Sequence, residues 1–168
     1  NNCLKKIDIG KFKKTQEDEK TIKVKRGEKV VLVAKSGQMY KAVSNKIDKC
    51  LPTAAGMNIS SLGIDDEIIN IYANDKISGK EECNFENVFF ITNQGLGKKS
   101  NIQKSLGASK STGVTVMGLK KENDFVVGAK LVNDTDSIKV TTSMREIILN
   151  VKDYKVSGRG ASGSNVCK

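Results

Sequence analysis

The sequence predicts an all-β protein of propeller-like architecture, on three observations. Short apolar runs rich in β-branched and aromatic side chains alternate with glycine turns, as in Val30-Val31-Leu32-Val33-Ala34 and Val88-Phe89-Phe90-Ile91-Thr92. No segment keeps a 3.6-residue apolar period for long, so helices are expected to be scarce. Most tellingly, the chain repeats itself.

The clearest copy runs from Val88 to Lys121: an apolar run, a turn at Gly95, the pair Lys98-Lys99, and a loop of small residues closed by Gly113. A second alternating run, Val114-Thr115-Val116-Met117, follows. The stretch Val30 to Gly37 matches its opening, with Gly37 falling on Gly95, a shift of 58. In that register Lys41 falls on Lys99, Asp66 on Asp124, and Ile68-Ile69 on Val126-Val127. Gly56 and Gly113 are 57 apart, so the central copy has one residue less in its loop. A third copy runs from Ser137 to Gly163, placing Gly163 107 residues after Gly56, and the sequence given ends before a further strand. A repeat of roughly 50 residues is the length of a four-stranded propeller blade. The expected division is a single domain over 1–168, with a partial unit at 1–28, full units at 29–84 and 85–136, and a truncated third unit at 137–168.

Taken in order, Leu4, Ile7 and Ile9 and then Thr21-Ile22-Lys23-Val24-Lys25 alternate as an edge strand pair around a charged turn. Val30–Ala34 reads as a strand, Ser36-Gly37 as a turn and Gln38–Val43 as its return. Asn45–Ala55 is a loop with the one proline, Pro52. Gly56 opens a strand over Met57–Leu62, and Asp65-Asp66 turns the chain into Ile68–Ala73. The polar stretch Asn74–Asn84 reads as an exposed connection, and the same order resumes at Glu86.

Composition bounds the chemistry. The 29 lysines and arginines against 19 acidic residues leave a charge of +10, which points to a polyanion as partner, nucleic acid first. The bland alternative is that the lysines are simply solvated. Phe12, Phe85, Phe89, Phe90, Phe125 and three tyrosines are too few, and too often at core positions, for a base-stacking platform, so contact with nucleic acid would run through phosphates. The chain has no histidine, which excludes Ser-His catalysis, and Cys3, Cys50, Cys83 and Cys167 form no CxxC pair, which argues against the common zinc patterns. Reduced cysteines and a cytoplasmic location are expected. Neither a signal peptide nor an apolar run of membrane-spanning length is read, and an opening at Asn1 rather than Met is what a piece of a longer protein would give. Gly158-Arg159-Gly160-Ala161-Ser162-Gly163 lacks the Gly-Lys-Ser/Thr and the following helix of a nucleotide-phosphate loop. Asp65-Asp66-Glu67 reads as a turn rather than a cation site.

The order of apolar run, Thr, Gly, Lys-Lys, small-residue loop, Gly, alternating strand, Leu, Asp and Val-Val resembles the repeat in the C-terminal domain of bacterial type IIA topoisomerase A subunits, those of DNA gyrase and topoisomerase IV. FFITNQGLGKKSNI and STGVTVMGLKKENDFVVGAKLV, within residues 88–132, carry the resemblance most clearly, residues 30–73 and 138–165 more weakly, and Asn1–Gly27 looks like the tail of a preceding unit. The resemblance implies a β-pinwheel of propeller-like blades that exchange strands, with a basic outer rim that binds and bends duplex DNA. It further implies no catalysis by this chain alone and no cofactor, metal or membrane. The implied partners are double-stranded DNA, the rest of the A subunit and its ATPase partner subunit. The family's breakage-reunion tyrosine belongs to another domain, and Tyr40, Tyr72 and Tyr154 lack its arginine-rich setting. One further expectation is that Asn1–Gly27 supplies strands missing from the third unit and closes a smaller ring.

The rim residues expected to meet phosphate are Lys98, Lys99, Lys104 and Lys110 in the central unit, Lys41 and Lys46 in the first, and Arg145 and Arg159 in the third. In the third copy Lys98-Lys99 aligns with Ile147-Ile148, so its binding surface is expected to be weaker. Gyrase A subunits carry a box, QRRGGKG, associated with chiral DNA wrapping. The nearest stretches here are Ser157-Gly158-Arg159-Gly160-Ala161-Ser162-Gly163, Gly107 to Gly113 with Lys110 alone, and Leu51 to Gly56 with no basic residue. The glycine ends are kept and the full box is absent, which favours the topoisomerase IV type. Two competing readings are a propeller-like module for an acidic protein partner and a fragment of an enzyme whose site forms elsewhere.

Overall fold

The computed structural model describes residues 3–7, 21–107 and 112–166. Its elements are almost all strands: β1 (Cys3–Leu4), β2 (Lys29–Ala34), β3 (Gln38–Val43), β4 (Met57–Asn58) and β5 (Ile68–Ala73), then β6 (Asn87–Thr92), β7 (Leu96–Asn101), β8 (Val114–Thr115) and β9 (Val126–Val132), and last β10 (Ser137–Thr141), β11 (Glu146–Asn150) and β12 (Ser164–Asn165). Two short helices, α1 (Asn74–Ile77) and α2 (Ile102–Leu106), and three 3-10 turns complete the order among the described residues.

The strands form two four-stranded antiparallel sheets, ordered β5-β2-β3-β8 and β12-β7-β6-β9, a hairpin β10-β11, and the small pair β1-β4. Three strands of each four-stranded sheet are close in sequence, and the fourth comes from the next unit. Gln38 pairs with Thr115 across β3 and β8, and Leu96 pairs with Asn165 across β7 and β12. This is the strand exchange the resemblance implies, and the architecture is all-β and propeller-like as expected. The starts of β2 and β6, β3 and β7, and β5 and β9 are each 58 residues apart, the shift read from the sequence.

The stretches Val30–Ala34 of β2 and Val88–Ile91 of β6 are apolar at every position, because each strand is covered on both faces. Val30, Leu32, Ala42, Ile47, Ile59 and Ile64 pack under the segment that carries Leu4, Ile22 and Val24. Val31, Val33 and Met39 meet Val88, Phe90, Val116, Met117, Val126 and Ala129 between the two sheets. Phe89, Val132, Leu149, Val151 and Val166 form a third layer beneath the hairpin, where Tyr154 meets Phe89 edge-on at 5.1 Å.

Three expectations are corrected. The strand expected over Met57–Leu62 stops at Asn58, whose side chain accepts from the Ser60 N–H and starts a 3-10 turn that Gly63 ends. The connection expected over Asn74–Asn84 begins as helix α1, because Ile77 is fully buried beneath the central layer. Residues Ile102–Leu106, read as loop, form α2, capped by the Asn101 side chain and burying Ile102 and Leu106. On the expected closing or near-closing of a smaller ring, among the described residues Cys3–Leu4 pairs with β4 of the first unit and β10 and β11 pair with each other. Residues 8–20, central to that expectation, lie outside those described.

Phe90 is the largest fully buried side chain, at the centre of the layer that joins the two sheets. Phe90→Ala is expected to cost about 3–5 kcal/mol, as large aromatic truncations in packed cores do. A urea titration followed by circular dichroism checks this, with the midpoint shifting down and cooperativity retained.

Candidate nucleic-acid interface

The outer edge of each sheet is built the same way in successive units. A second strand ends in an exposed turn, and a small-residue loop of the next unit then runs back over that strand and enters the exchanged strand. Over β1, the Cys50 N–H donates to Lys6 O, Lys5 Nζ reaches Pro52 O at 3.3 Å, and Gly56 closes the loop. Over β7, the Ser157 N–H donates to Lys99 O and Gly163 closes the loop. Over β3, Lys41 Nζ donates to Gly107 O at 3.2 Å and Gly113 closes the loop, whose residues 108–111 lie outside those described.

The closing glycine is a geometric requirement. Gly56, Gly113 and Gly163 have φ of +88°, +79° and +75°, values that side-chain-bearing residues rarely adopt. Each also lies hard against the strand it crosses. A Cβ would fall 2.5 Å from Leu4 O, 2.9 Å from the Tyr40 ring and 2.5 Å from Gly97 O, respectively.

Lys98 and Lys99 were expected on this outer rim, and the structure corrects that placement. Both are buried, with 1% and 3% of their surface exposed. Alternation along β7 sends them to opposite faces, and both faces are covered by packed layers. Lys98 donates to Val116 O at 2.6 Å, Gly158 O at 3.0 Å and Ala161 O at 3.2 Å, with its ammonium over the Phe90 ring. All three of its protons are therefore used. Lys99 pairs with Asp134 at 2.8 Å. Neither is free to meet a phosphate.

Tyr40 takes the Lys98 position in the first unit, and its hydroxyl donates to Asp66 at 3.2 Å. The Asp124 carboxylate, the counterpart of Asp66, is buried without a hydrogen-bond partner among the described residues, and Lys98 turns to the next unit's carbonyls instead. Lys41 is half-buried, its ammonium weakened first by burial and then by the charge of Lys29.

The remaining candidates fall into two groups. Lys46, in the turn after β3, and Lys104, in α2 after β7, are exposed and 58 residues apart, so the repeat presents them at equivalent points. Arg159 is exposed on the loop over β7. Arg145 is exposed as well, but it precedes β11 and so stands at the opposite end of its hairpin from the turn that follows. Lys110 lies outside the described residues. Sequence reasoning missed Lys152, exposed in the turn after β11, the third member of the Lys46 and Lys104 series. It sits one residue out of register, but a basic residue in the turn after each second strand was a readable signal.

The layered sheets, exchanged strands and basic outer turns define a strand-swapped, propeller-type domain. A family model described as DNA gyrase C-terminal domain, beta-propeller, matches residues 86–133 and 147–168. Among solved structures, the C-terminal domain of DNA topoisomerase IV superposes with a TM-score of 0.66 at 18% identity, covering 83% of this chain and 43% of that one. The E. coli ParC C-terminal domain gives 0.61 at 15% identity, covering 86% and 56%. The DNA gyrase A C-terminal domain gives 0.57 at 21% identity, covering 84% and 43%. The chain thus spans about half the length of these structures, and no curated protein matches it in sequence. The resemblance read from the sequence is borne out: the chain matches the gyrase C-terminal-domain model in sequence over those residues and is similar in fold to the solved C-terminal domains of topoisomerase IV, ParC and gyrase A.

Burial lowers the Lys98 ammonium from 10.5 to about 8. Between those values the unfolded chain keeps this proton and the folded chain releases it, so stability rises with pH across that window. Lys41 is lowered in the same sense. Tyr72, its phenol held neutral chiefly by burial, acts oppositely once the unfolded phenol ionises above 10.0. Urea midpoints are therefore expected to rise from about pH 8 towards about pH 10 and then fall. Lys98→Met should flatten the rise and leave the fall.

Proposed function

We propose that this chain is a non-catalytic DNA-binding domain of a type II topoisomerase A subunit, holding and bending duplex DNA along its basic edge to present it for strand passage. The observation that carries the reading is the recurrence of exposed cations, Lys46, Lys104 and Lys152, in the turn after each second strand, on a chain of charge +10. Cations at a regular spacing suit a phosphate backbone. They release its counterions and offset the cost of bending without reading base edges. Arg159 adds a charge on the neighbouring loop and Lys41 and Arg145 extend the surface, while Lys110, a phosphate contact in this reading on its sequence position alone, lies outside the described residues. Lys98 and Lys99 act from inside it.

In this reading residues 1–168 form one cytoplasmic domain, and its protein partners are the rest of the A subunit and the ATPase subunit. Strand cleavage and ATP hydrolysis lie in those other parts. The reduced box over Ser157–Gly163, with one arginine, supports the topoisomerase IV type over the gyrase type. A second reading, a module for an acidic protein partner, is favoured by Met144 and Ile148, which are 91% and 62% exposed beside Arg145 on the hairpin.

The test is binding to a short duplex across a salt series, comparing the wild type with Lys46→Glu/Lys104→Glu. Affinity is expected to fall steeply with salt, with little sequence preference, and the variant's log–log slope should be lower by roughly two, one for each phosphate that is no longer neutralised. No binding at low salt, or an unchanged slope in the variant, would overturn the DNA reading. An acidic protein partner that DNA does not displace would favour the second.

A further inference from the structure

Three carbonyls of the loop Ser157–Gly163 are held turned inward. Ser157 O accepts from Ser100 Oγ at 2.9 Å, Gly158 O accepts from Lys98 Nζ, and Ala161 O accepts from both Lys98 Nζ and the Gly118 N–H. There are no cis peptides among the described residues, and in a planar trans peptide the C=O and the following N–H point in opposite directions. The N–H groups of Gly158, Arg159 and Ser162 are therefore directed away from the sheet. None of the three has a hydrogen-bond partner among the described residues. The Arg159 side chain is exposed on the same loop. Outward backbone N–H groups on a loop that also carries an exposed guanidinium offer donors to an anion.

Among the described residues, the Lys98 ammonium is the one group that donates to loop carbonyls on both sides of the turn at Arg159-Gly160. The Lys98 ammonium bridges Gly158 O and Ala161 O of the third unit to Val116 O of the central unit. A neutral side chain of the same length could not supply three donors. Taking an ammonium out of water is costly, and at this site the three carbonyls and the Phe90 ring offset that cost. With that cation removed, Gly158 O keeps only the long bond from the Ala161 N–H at 3.4 Å and Ala161 O only the Gly118 N–H, so the hold on the outward set of N–H groups weakens.

We propose that Lys98 is the positioning residue of a phosphodiester-binding loop: without touching DNA, it turns the Gly158 and Ala161 carbonyls inward and so presents the Gly158, Arg159 and Ser162 N–H groups, with the Arg159 guanidinium, to a backbone phosphate. The proposal deepens the DNA-binding reading and rests on it for the source of the phosphate. The single arginine of the loop then suffices, because the main chain supplies the remaining donors.

The experiment uses the 168-residue chain, with Lys98→Met, Arg159→Ala and the double variant. Duplex affinity is measured at fixed salt, and backbone amide shifts of Gly158, Arg159 and Ser162 are followed by NMR during titration. Lys98→Met is expected to stay folded and to bind about tenfold more weakly, the equivalent of one charge-assisted hydrogen bond. The three amides should shift on binding in the wild type and not in Lys98→Met. Arg159→Ala should cost less in the Lys98→Met background than in the wild type, a coupling that two independent effects would not give. Gly118→Ala keeps the falsifying power should Lys98→Met fail to fold. Its Cβ would fall 2.2 Å from Gly160 O and displace the same loop, so it should reproduce the weakened binding. Unchanged affinity in folded Lys98→Met, or additive effects in the double variant, would overturn the proposal while leaving the DNA reading intact. If the wild type binds no duplex, the DNA reading falls and the loop is judged with inorganic phosphate as probe. Shifts of the three amides in the wild type alone would support the site, and their absence would overturn it.

Discussion

Backbone pairing across unit boundaries is the constraint on which the rest of this structure depends. A sheet of three strands would leave the outer edge of β3 or β7 open, with unpaired N–H and C=O groups. Each edge is instead closed by two residues of the next unit, Val114–Thr115 or Ser164–Asn165. That short exchanged strand fixes where the following loop must run, because the loop has to cross the preceding sheet to reach its place. The basic turns, the closing glycines and the inward carbonyls all follow from that crossing. The side-chain bond from Gln38 to Thr115 at 2.9 Å reinforces the first of these joints.

Much of the fold was legible because repetition is legible. Gln38–Val43 and Ile68–Ala73 are strands with the bounds read from the sequence, since alternation and glycine turns mark them without help from tertiary context. The short helices were not legible, because α1 and α2 each make about one turn, too short for an apolar period to register. They exist because Ile77, Ile102 and Leu106 find cover in the central layer.

The candidate site was harder to read, for a reason particular to Lys98 and Lys99. A lysine pair beside a glycine turn looks like a surface feature, since lysines are rarely fully buried without a partner. Here the partners are supplied by residues distant in sequence: Asp134 for Lys99, and carbonyls at 116, 158 and 161 for Lys98. The self-alignment did hold one clue. It pairs Lys98 with Tyr40, an aromatic residue whose hydroxyl also ends on a polar partner, Asp66, so the position demands a long stem with a polar tip.

The exchanged strands also impose an order of assembly. The first sheet joins Gln38 to Thr115, so during synthesis it cannot be completed until the chain has been made well past the second unit's loop. The second sheet in turn waits for Asn165. Each unit is therefore finished by its successor, and ribosomal synthesis, proceeding from the N-terminus, carries one open sheet edge forward until the next unit closes it. Neighbouring copies emerging from one message would present the same open edge and the same closing strand, so timely arrival of the chain's own strand is what keeps the pairing within a single molecule.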